Sequence, residues 1–232
     1  MSVAPALAGA AAVAAAAAAW AVRGKSSPFF GRFVWRGARE RPAVALTFDD
    51  GPSESTPRIL AILGRHGARA TFFQIGGNAR RLPAVSRAVA AAGHEIGNHT
   101  ETHARLWLRG QTFLREEIGR GQRSIEDAAG VSPRLFRPPY GVRWPGLGGV
   151  LDEMGLTGVL WSAIGRDWKD GAPAVSRRLL RGLRNGAILC LHDGRERAAR
   201  PETGATADAL EAVLIALRAK GLQCVTVSEL IA

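Results

Sequence analysis

Residues 44–53 read Val44-Ala-Leu-Thr-Phe-Asp-Asp-Gly-Pro-Ser53, and this stretch decides how the chain folds. Its apolar, β-prone first half is typical of a buried strand, and Gly51-Pro52 ends that strand. Two adjacent carboxylates, Asp49 and Asp50, stand where it ends. Such groups are costly to bury unless they bind a metal ion or carry protons. Taken alone, the same residues are more typical of an ordinary Asp-Gly turn, so their interpretation depends on the rest of the chain.

The composition indicates one globular α/β domain with a short appendage. The chain has 232 residues, 47% of them hydrophobic, which is enough to bury a sizeable core. The formal net charge is +11, almost all of the positive charge being arginine. The arginines are scattered along the predicted helices without interleaved aromatic residues, which favours a solvated surface and no nucleic acid as partner. Cys190 and Cys224 lie in apolar runs and indicate buried free thiols rather than a disulfide.

The N-terminal segment differs from the rest of the chain. Residues 3–22 form an uncharged, alanine-dominated run about as long as a bilayer is thick, with Trp20 near its end and basic residues directly after. We therefore expect residues 1–25 to form a hydrophobic helix that anchors the protein in a membrane. A signal-like helix and an alanine-rich helix without a membrane role are the alternatives. Residues 26–41 are interpreted as a linker and residues 42–232 as the folded domain.

From residue 41 onward, short apolar runs alternate with amphipathic helical patterns. The predicted strands are 43–48, 69–74, 95–98, 135–137, 158–162, 187–191 and 223–227. The predicted helices are 57–66, 83–92, 112–129, 146–154, 173–183 and 206–220. This alternation predicts a parallel sheet, and seven rounds without a Gly-rich phosphate loop favour a barrel. In such barrels the functional groups lie on loops that follow the carboxyl ends of the strands.

Polar clusters follow several of the predicted strands. His99 and His103 come after the third strand, and two imidazoles four residues apart share one face of a helical turn. Together with Asp50 they supply three ligands and leave coordination positions free, as in a catalytic metal site. Arg137 opens the rigid Pro-Pro-Tyr-Gly turn after the fourth strand. His192 ends a very apolar strand, where burial and a nearby acid can tune the pKa of a proton donor.

Five ordered motifs resemble those of one known family. They are Thr47-Phe-Asp-Asp-Gly-Pro52, His99-x-x-x-His103, Arg137-Pro-Pro-Tyr-Gly141, Asp167-Trp168 and Leu191-His192-Asp193. They resemble the motifs of the NodB-homology polysaccharide deacetylases, carbohydrate esterase family four, from about residue 41 to the C-terminus. The resemblance implies a distorted (β/α)7 barrel and a divalent metal, most commonly Zn2+. It also implies hydrolysis of N-acetyl groups from N-acetylglucosamine-containing polysaccharide or oligosaccharide, of the peptidoglycan or chitin type.

The resemblance also implies roles for single residues at the metal. Asp50, His99 and His103 would hold the ion, which polarises the acetyl carbonyl and activates a water molecule. Asp49 would take the proton of that water as the general base. Arg137 would pair with Asp49.

The other motif residues would act on the substrate and the leaving group. The backbone N–H of Tyr140 would bind the developing oxyanion. His192 would protonate the departing amine, with Asp167 orienting its imidazole. Trp168 and Leu191 would form the wall of the acetyl-methyl pocket.

The chain departs from the family pattern at two positions. The family often has an Asp where this chain has Ile164, which would loosen the support around Arg137 or His192. It usually has a Leu where this chain has Cys190, which would enlarge or soften the acetyl pocket. Neither change removes a catalytic group. His66 and His94 match no motif, and we expect them to have no catalytic role.

Two other functions stay open at this point. One is an O-acetyl esterase of the xylan type that uses the same site, and the other is a catalytically inactive, membrane-tethered glycan-binding barrel. We expect a monomer that is membrane-anchored in the cell envelope. The charges around residues 1–25 place the domain in the cytoplasm, whereas the implied substrates usually lie outside, so the side of the membrane stays open.

Overall fold

The computed structural model describes residues 4–232, with the side chains of residues 11–232. Within them the strands are β1 (Phe33–Val34), β2 (Ala43–Asp49), β3 (Thr71–Gln74), β4 (Glu95–Asn98), β5 (Leu135–Phe136), β6 (Thr157–Val159), β7 (Ala163–Ile164), β8 (Ile188–His192) and β9 (Gln223–Val225). The helices are α1 (Ala4–Arg23), α2 (Thr56–Arg65), α3 (Gly76–Arg81), α4 (Pro83–Ala91), α5 (Gln111–Ala129), α6 (Leu147–Glu153), α7 (Ala172–Arg181), α8 (Gly204–Ala219) and α9 (Val227–Ile231).

These strands form one curled sheet. Their order is β1-β6-β5-β4-β3-β2-β8-β7, and β9 also pairs with β2. All pairings between the named strands are parallel, which confirms the predicted parallel α/β architecture. The sheet ends at β1 and β7, and a single antiparallel bridge joins Arg36 to Ala187. The described chain is therefore a curled half-barrel rather than a closed ring of seven strands.

Alternation along β2 divides its side chains between two layers. Three of them pack beneath the surrounding helices: Val44, Leu46 and Phe48. The small residues Ala43 and Ala45 face the interior of the curled sheet, where they meet Phe73 and Ile188. The same two-residue period places Asp49 on the inner face, at the carboxyl end of the strand.

The N-terminal helix α1 is exposed along most of its length. Its described side chains are exposed through Trp20, and Ala21 is buried. Among the residues that the structure describes, no helix combines the length and apolarity needed to cross a membrane. The transmembrane anchor predicted for residues 1–25 is therefore not supported. Residues 1–3 of that prediction lie outside the described residues.

The segment 26–41, interpreted from the sequence as a linker, contacts the folded domain. Its strand β1 pairs with β6 at the end of the sheet. Arg143, which is fully buried, donates hydrogen bonds to the backbone carbonyls of Gly24 and Ser27. The sheet therefore begins before residue 42, where the folded domain was predicted to start.

Candidate active site

The carboxylates of Asp49 and Asp50 reach one cavity by different routes. Asp49 is the last residue of β2 and points into the sheet interior. Asp50 has a φ of +70°, a left-handed conformation that is uncommon outside glycine. This conformation ends the strand and turns the second side chain to the same rim. Both side chains are buried and line the same cavity.

Asp193 holds the turn that follows β2. Its backbone N–H donates to the carbonyl of Asp49 at 3.2 Å, and its carboxylate accepts from the hydroxyl of Thr56. A Cβ on Gly51 would lie 2.3 Å from the Asp193 carboxylate, so a larger residue at position 51 would displace that side chain. Burial raises the pKa of Asp193 to about 7. The sequence singled out this residue only as the neighbour of His192.

The two histidines of the second motif meet in a loop and not, as predicted, on a helical turn. Residues 99–103 have no helical structure, and Thr100 and His103 have φ values of +69° and +58°. These left-handed residues fold the loop back on itself, so that the imidazole centroids of His99 and His103 lie 5.0 Å apart. The expected proximity is therefore correct, although the predicted helical turn is wrong.

Glu117 of α5 supports this loop from below. Its Oε1 accepts hydrogen bonds from the backbone N–H of Thr102 at 2.6 Å and from the Thr102 hydroxyl at 2.7 Å. Its Oε2 accepts from Arg120 at 2.9 Å. Glu117 is fully buried, so these hydrogen bonds replace the water that an exposed carboxylate would bind. Sequence reasoning missed it, because an acid within a charged helical stretch looks like surface.

Asp50, His99 and His103 form a donor set that fits a divalent cation. The Nε2 atoms of His99 and His103 lie 3.4 Å and 3.2 Å from Oδ1 of Asp50. The three ligand atoms lie within 4.8 Å of one another, and Oδ1 of Asp50 is buried without a hydrogen bond in the described chain. Nδ1–H of His99 donates a hydrogen bond to the backbone carbonyl of Arg137 at 2.7 Å, which leaves Nε2 directed at Asp50. Two imidazoles and one carboxylate are the ligand types that zinc takes in catalytic sites.

The charge states in this cluster suit metal binding. Burial raises the pKa of Asp50, but the imidazoles of His99, His103 and His192 outweigh burial and hold that pKa well below its usual range. Burial and the charge of His99 lower the pKa of His103 to about 4, against the opposing pull of Asp50. A charged carboxylate and a neutral imidazole are the forms in which these side chains bind metals.

Arg137 crosses the interior of the curled sheet to reach Asp49. Its Nη1 donates to Oδ1 of Asp49 at 2.6 Å and to the hydroxyl of Thr47 at 2.7 Å, while Nη2 donates to the carbonyl of Leu160 at 3.1 Å. The guanidinium lies 4.0 Å from the ring centroid of Phe73 and is fully buried. The expected pairing of Arg137 with Asp49 is present.

His192 and Asp167 form a second pair, and His192 lies beside Asp49 because these two residues are partners across the neighbouring strands β8 and β2. Nδ1 of His192 lies 2.9 Å from Oδ1 of Asp167, whose Oδ2 accepts from the backbone N–H of His192 and from the hydroxyl of Thr206. Burial lowers the pKa of His192. The hydrogen bond and charge of Asp167, with the charges of Asp50 and Asp49, outweigh burial and raise it to about 9. His192 is therefore protonated at neutral pH.

Seven of the ten predicted site residues line one cavity of about 680 Å³, and Arg137 and Asp167 lie behind it, bound to Asp49 and His192. Its lining residues are Asp49, Asp50, His99, His103, Tyr140, Trp161, Ile164, Trp168, His192, Arg195 and Glu196. Tyr140 and Trp168 are 44% and 48% exposed, so both aromatic rings face the opening. Sequence reasoning missed Trp161, Arg195 and Glu196. The departure at Ile164 places an apolar side chain in the lining.

Leu191 does not line this cavity, which corrects its predicted place in the acetyl pocket. It packs in the core beneath the helices with Val175 and Leu189. Alternation along β8 explains this, because Leu191 and His192 point to opposite faces of the strand. Cys190 shares the inner face with His192, and its Sγ lies 3.4 Å from Oδ2 of Asp49. The second departure from the family pattern therefore touches Asp49.

The two remaining histidines contact other parts of the protein. Nε2 of His66 lies 2.8 Å from Oε1 of Glu211, and Nδ1 of His94 accepts the backbone N–H of Ala70 at 3.2 Å. Neither lines the cavity.

Comparisons with known proteins agree with this geometry. The family model described as polysaccharide deacetylase matches residues 36–159, which is more than half of the chain. The chain belongs to the polysaccharide deacetylase family. It is 38% identical to the chitooligosaccharide deacetylase of Azorhizobium caulinodans over 194 residues, covering 79% of this chain and 91% of that protein. Among solved structures of family members, the Bc1960 peptidoglycan N-acetylglucosamine deacetylase is similar with a TM-score of 0.81 and 31% identity, over 86% of this chain and 92% of that one.

Another relative is much longer than the present chain. The peptidoglycan-N-acetylglucosamine deacetylase PgdA of Listeria monocytogenes is 34% identical over 195 residues, which cover 83% of this chain. The same match covers only 40% of the Listeria protein. The chain therefore spans less than half of the length of this relative.

Proposed function

We propose that this chain is a metal-dependent deacetylase that hydrolyses the N-acetyl group of N-acetylglucosamine-containing glycans, of the peptidoglycan or chitin type. One observation carries the proposal. A single cavity is lined by the Asp50–His99–His103 donor set, by Asp49, a carboxylate paired with arginine, and by His192, an imidazole paired with a carboxylate. The relatives named for peptidoglycan and chitooligosaccharide deacetylation support the substrate class.

In this proposal Asp50, His99 and His103 hold the metal, and Zn2+ is the ion that their donor atoms suit best. A cation held there supplies Lewis-acid polarisation of the acetyl carbonyl and of the attacking water. Oδ1 of Asp50 faces both Nε2 atoms, so a single ion can contact all three side chains. Every further step falls to residues of the chain itself.

Asp49 acts as the general base. It takes a proton from the attacking water as the oxygen of that water bonds to the acetyl carbon. Its Oδ1 is bound by Arg137, while Oδ2 receives the weak thiol hydrogen bond of Cys190. These contacts fix the carboxylate beside the metal site and leave it free of a strong donor on the Oδ2 side.

His192 acts as the general acid. It gives its proton to the amide nitrogen as the bond between carbon and nitrogen breaks, so that acetate and the amine of the sugar are released. Asp167 binds Nδ1 at 2.9 Å, which leaves the Nε2 proton available to the substrate. An amine is a poor leaving group unless it is protonated. Because the pKa of His192 is raised, its imidazolium can supply that proton at neutral pH.

Tyr140 and Trp168 shape the binding of the acetylated sugar. Tyr140 has a φ of +61°, which places it at a sharp turn beside His103. We assign its backbone N–H to the developing oxyanion. The indole of Trp168 packs edge-on against His192, with ring centroids 4.9 Å apart, and forms one wall of the cavity.

Acetate release from three substrates tests the proposal. A chitooligosaccharide and a peptidoglycan preparation are expected to release acetate, chelator to abolish the release, and added Zn2+ to restore it. Release from acetyl-xylan alone would identify an O-acetyl esterase. Sugar binding without release from any substrate would identify an inactive glycan-binding barrel.

We also propose that the chain works as a monomer at the cell envelope, where polymers of this kind are found. The site supports a monomer, because all of the proposed catalytic groups come from one chain. Light scattering after size-exclusion chromatography measures the oligomeric state. Fractionation of the cells that produce the protein measures its location.

A further inference from the structure

The loop that follows β8 carries a carboxylate that the proposed mechanism does not use. Glu196 lies in this loop with a φ of +45°, and its backbone N–H donates to Oδ2 of Asp50 at 2.9 Å. The amide of Asn78 donates to the backbone carbonyls of both Asp50 and Glu196, at 2.8 Å and 2.7 Å. The loop is therefore fastened to the proposed metal ligand Asp50 through its main chain.

His103, another proposed metal ligand near this loop, has a ring nitrogen without a hydrogen-bond partner in the described part of the chain. His99 uses its second ring nitrogen in a hydrogen bond to the carbonyl of Arg137. Nδ1 of His103 is buried and has no hydrogen-bond partner in the described part of the chain. Oε1 of Glu196 is 4.0 Å away from it. Histidines that bind metals almost always donate their second N–H to a carboxylate, a carbonyl or water.

Tyr140 holds the Glu196 carboxylate near this nitrogen. The Tyr140 hydroxyl donates to Oε1 of Glu196 at 3.1 Å, and the Tyr140 ring packs against the imidazole of His103 with centroids 4.8 Å apart. The side chain of Glu196 is 64% exposed, so it has room to close the remaining distance to His103.

We propose that Glu196 is a positioning residue for the metal site. Its carboxylate accepts the Nδ1–H of His103 and so selects the tautomer that presents Nε2 to the ion, while its backbone N–H orients Asp50. This inference rests on the proposed metal site and not on the identity of the acetylated substrate. Contacts of this type change metal affinity by roughly 10- to 100-fold, and the exposure of Glu196 places the expected effect near the lower bound.

Two substitutions at position 196 and one control test the assignment. The Zn2+ dissociation constants of Glu196→Ala, Glu196→Gln and wild type are measured by competition with a chromophoric chelator. Glu202→Ala is the control, because Glu202 is an exposed acid of the same loop. We expect Glu196→Ala to weaken Zn2+ binding about tenfold and Glu196→Gln, whose amide oxygen can still accept the Nδ1–H, to weaken it less.

Several results would overturn the assignment. One is a Glu196→Ala affinity that stays within about twofold of the Glu202→Ala control. Another is an equal loss in Glu196→Ala and Glu196→Gln, because the amide should restore part of the contact. Absence of Zn2+ binding by wild type would remove both this assignment and the metal site. Wild type that binds Zn2+ but releases no acetate would contradict the proposed function alone, since the affinities of the variants still decide the role of Glu196.

Discussion

Nη1 of Arg137 lies 2.6 Å from Oδ1 of Asp49, although the two residues are 88 positions apart in the chain. Both side chains are buried, and the guanidinium also contacts Thr47 and the ring of Phe73. A carboxylate in such a place needs a cation beside it, because an unpaired buried charge is strongly destabilising. The pair therefore matters for the fold as well as for the proposed base.

Arg137→Met is expected to destabilise the protein severely. The substitution keeps most of the buried volume but leaves Asp49 without its cation, which lowers the free energy of unfolding by about 3–5 kcal/mol. Urea denaturation measures this loss. Arg115→Met is the matched control, because Arg115 forms an exposed pair with Glu153 and such pairs contribute about 0–1 kcal/mol. Equal losses in the two variants would contradict the importance of the buried pair.

Asp49→Asn is expected to separate catalysis from metal binding. An amide cannot accept the proton of the water, so kcat falls roughly 100- to 10,000-fold, while the affinity for Zn2+ changes little. Asp50→Asn is the contrasting variant, since it removes the charge of a proposed ligand and should weaken Zn2+ binding. Steady-state kinetics with saturating Zn2+ and chelator competition provide the two measurements. Near-normal turnover by Asp49→Asn would remove this residue from the role of general base.

The rate of deacetylation is expected to fall at alkaline pH. His192 must be protonated to act as an acid, and its pKa is raised to about 9. A cation bound beside Asp50 opposes this rise, so the alkaline limb of the metal-loaded enzyme should lie at or below pH 9. Asp167→Asn removes the charge that raises the pKa, which should move the limb to lower pH. The pH profile of kcat measures this shift.

The control for this profile is Asp170→Asn, because Asp170 pairs with Arg178 and not with His192. It should leave the alkaline limb in place. An unchanged limb in Asp167→Asn would show that His192 is not the titrating acid.

The metal-free protein is expected to lose stability as the pH falls below 6.5. Burial and the charge of Arg69 lower the pKa of His94 to about 4 in the folded protein. In the unfolded chain the pKa of His94 is about 6.5. Between pH 6.5 and pH 4 the unfolded chain therefore binds a proton that the folded protein does not, and the free energy of unfolding falls by up to about 3 kcal/mol. The stabilising effect is complete above pH 6.5 and lost as the pH falls toward 4.

His94→Asn isolates this effect. The Asn side-chain oxygen can accept the backbone N–H of Ala70 in place of Nδ1, and it does not titrate. Urea denaturation in chelator at pH 7, 5.5 and 4.5 should show a smaller loss in the variant than in wild type. The proposed ligand His103 titrates in both proteins, so the difference between them reports His94. Parallel pH dependences would contradict the assignment.

Sequence patterns predicted the parts of the site that depend on strand ends. The parallel sheet brings the carboxyl ends of β2, β4 and β8 to one edge, so Asp50, His99 and His192 meet in one cavity. Alternation along β8 was equally readable, and it contradicts the place that the family resemblance implied for Leu191. The two-residue strands β1 and β7 are too short to show any periodicity.

Other parts of the site left no pattern in the sequence. The left-handed conformations of Thr100 and His103 bring the imidazoles together. Neither residue is a glycine, so the sequence did not indicate a turn at either position. Glu196 follows β8 within a charged loop, where an acid is ordinarily solvated. The proposed role of Glu196 depends on its contacts with Asp50 and Tyr140, which are distant in the chain.

Anomalous diffraction from crystals soaked in Zn2+ is the decisive test of the proposed metal site. One strong peak is expected about 2.0–2.2 Å from Nε2 of His99, Nε2 of His103 and a carboxylate oxygen of Asp50. Ordered protein without a peak among these three side chains, at a Zn2+ concentration that supports acetate release, would contradict the assignment of Asp50, His99 and His103 as the ligands of the catalytic metal.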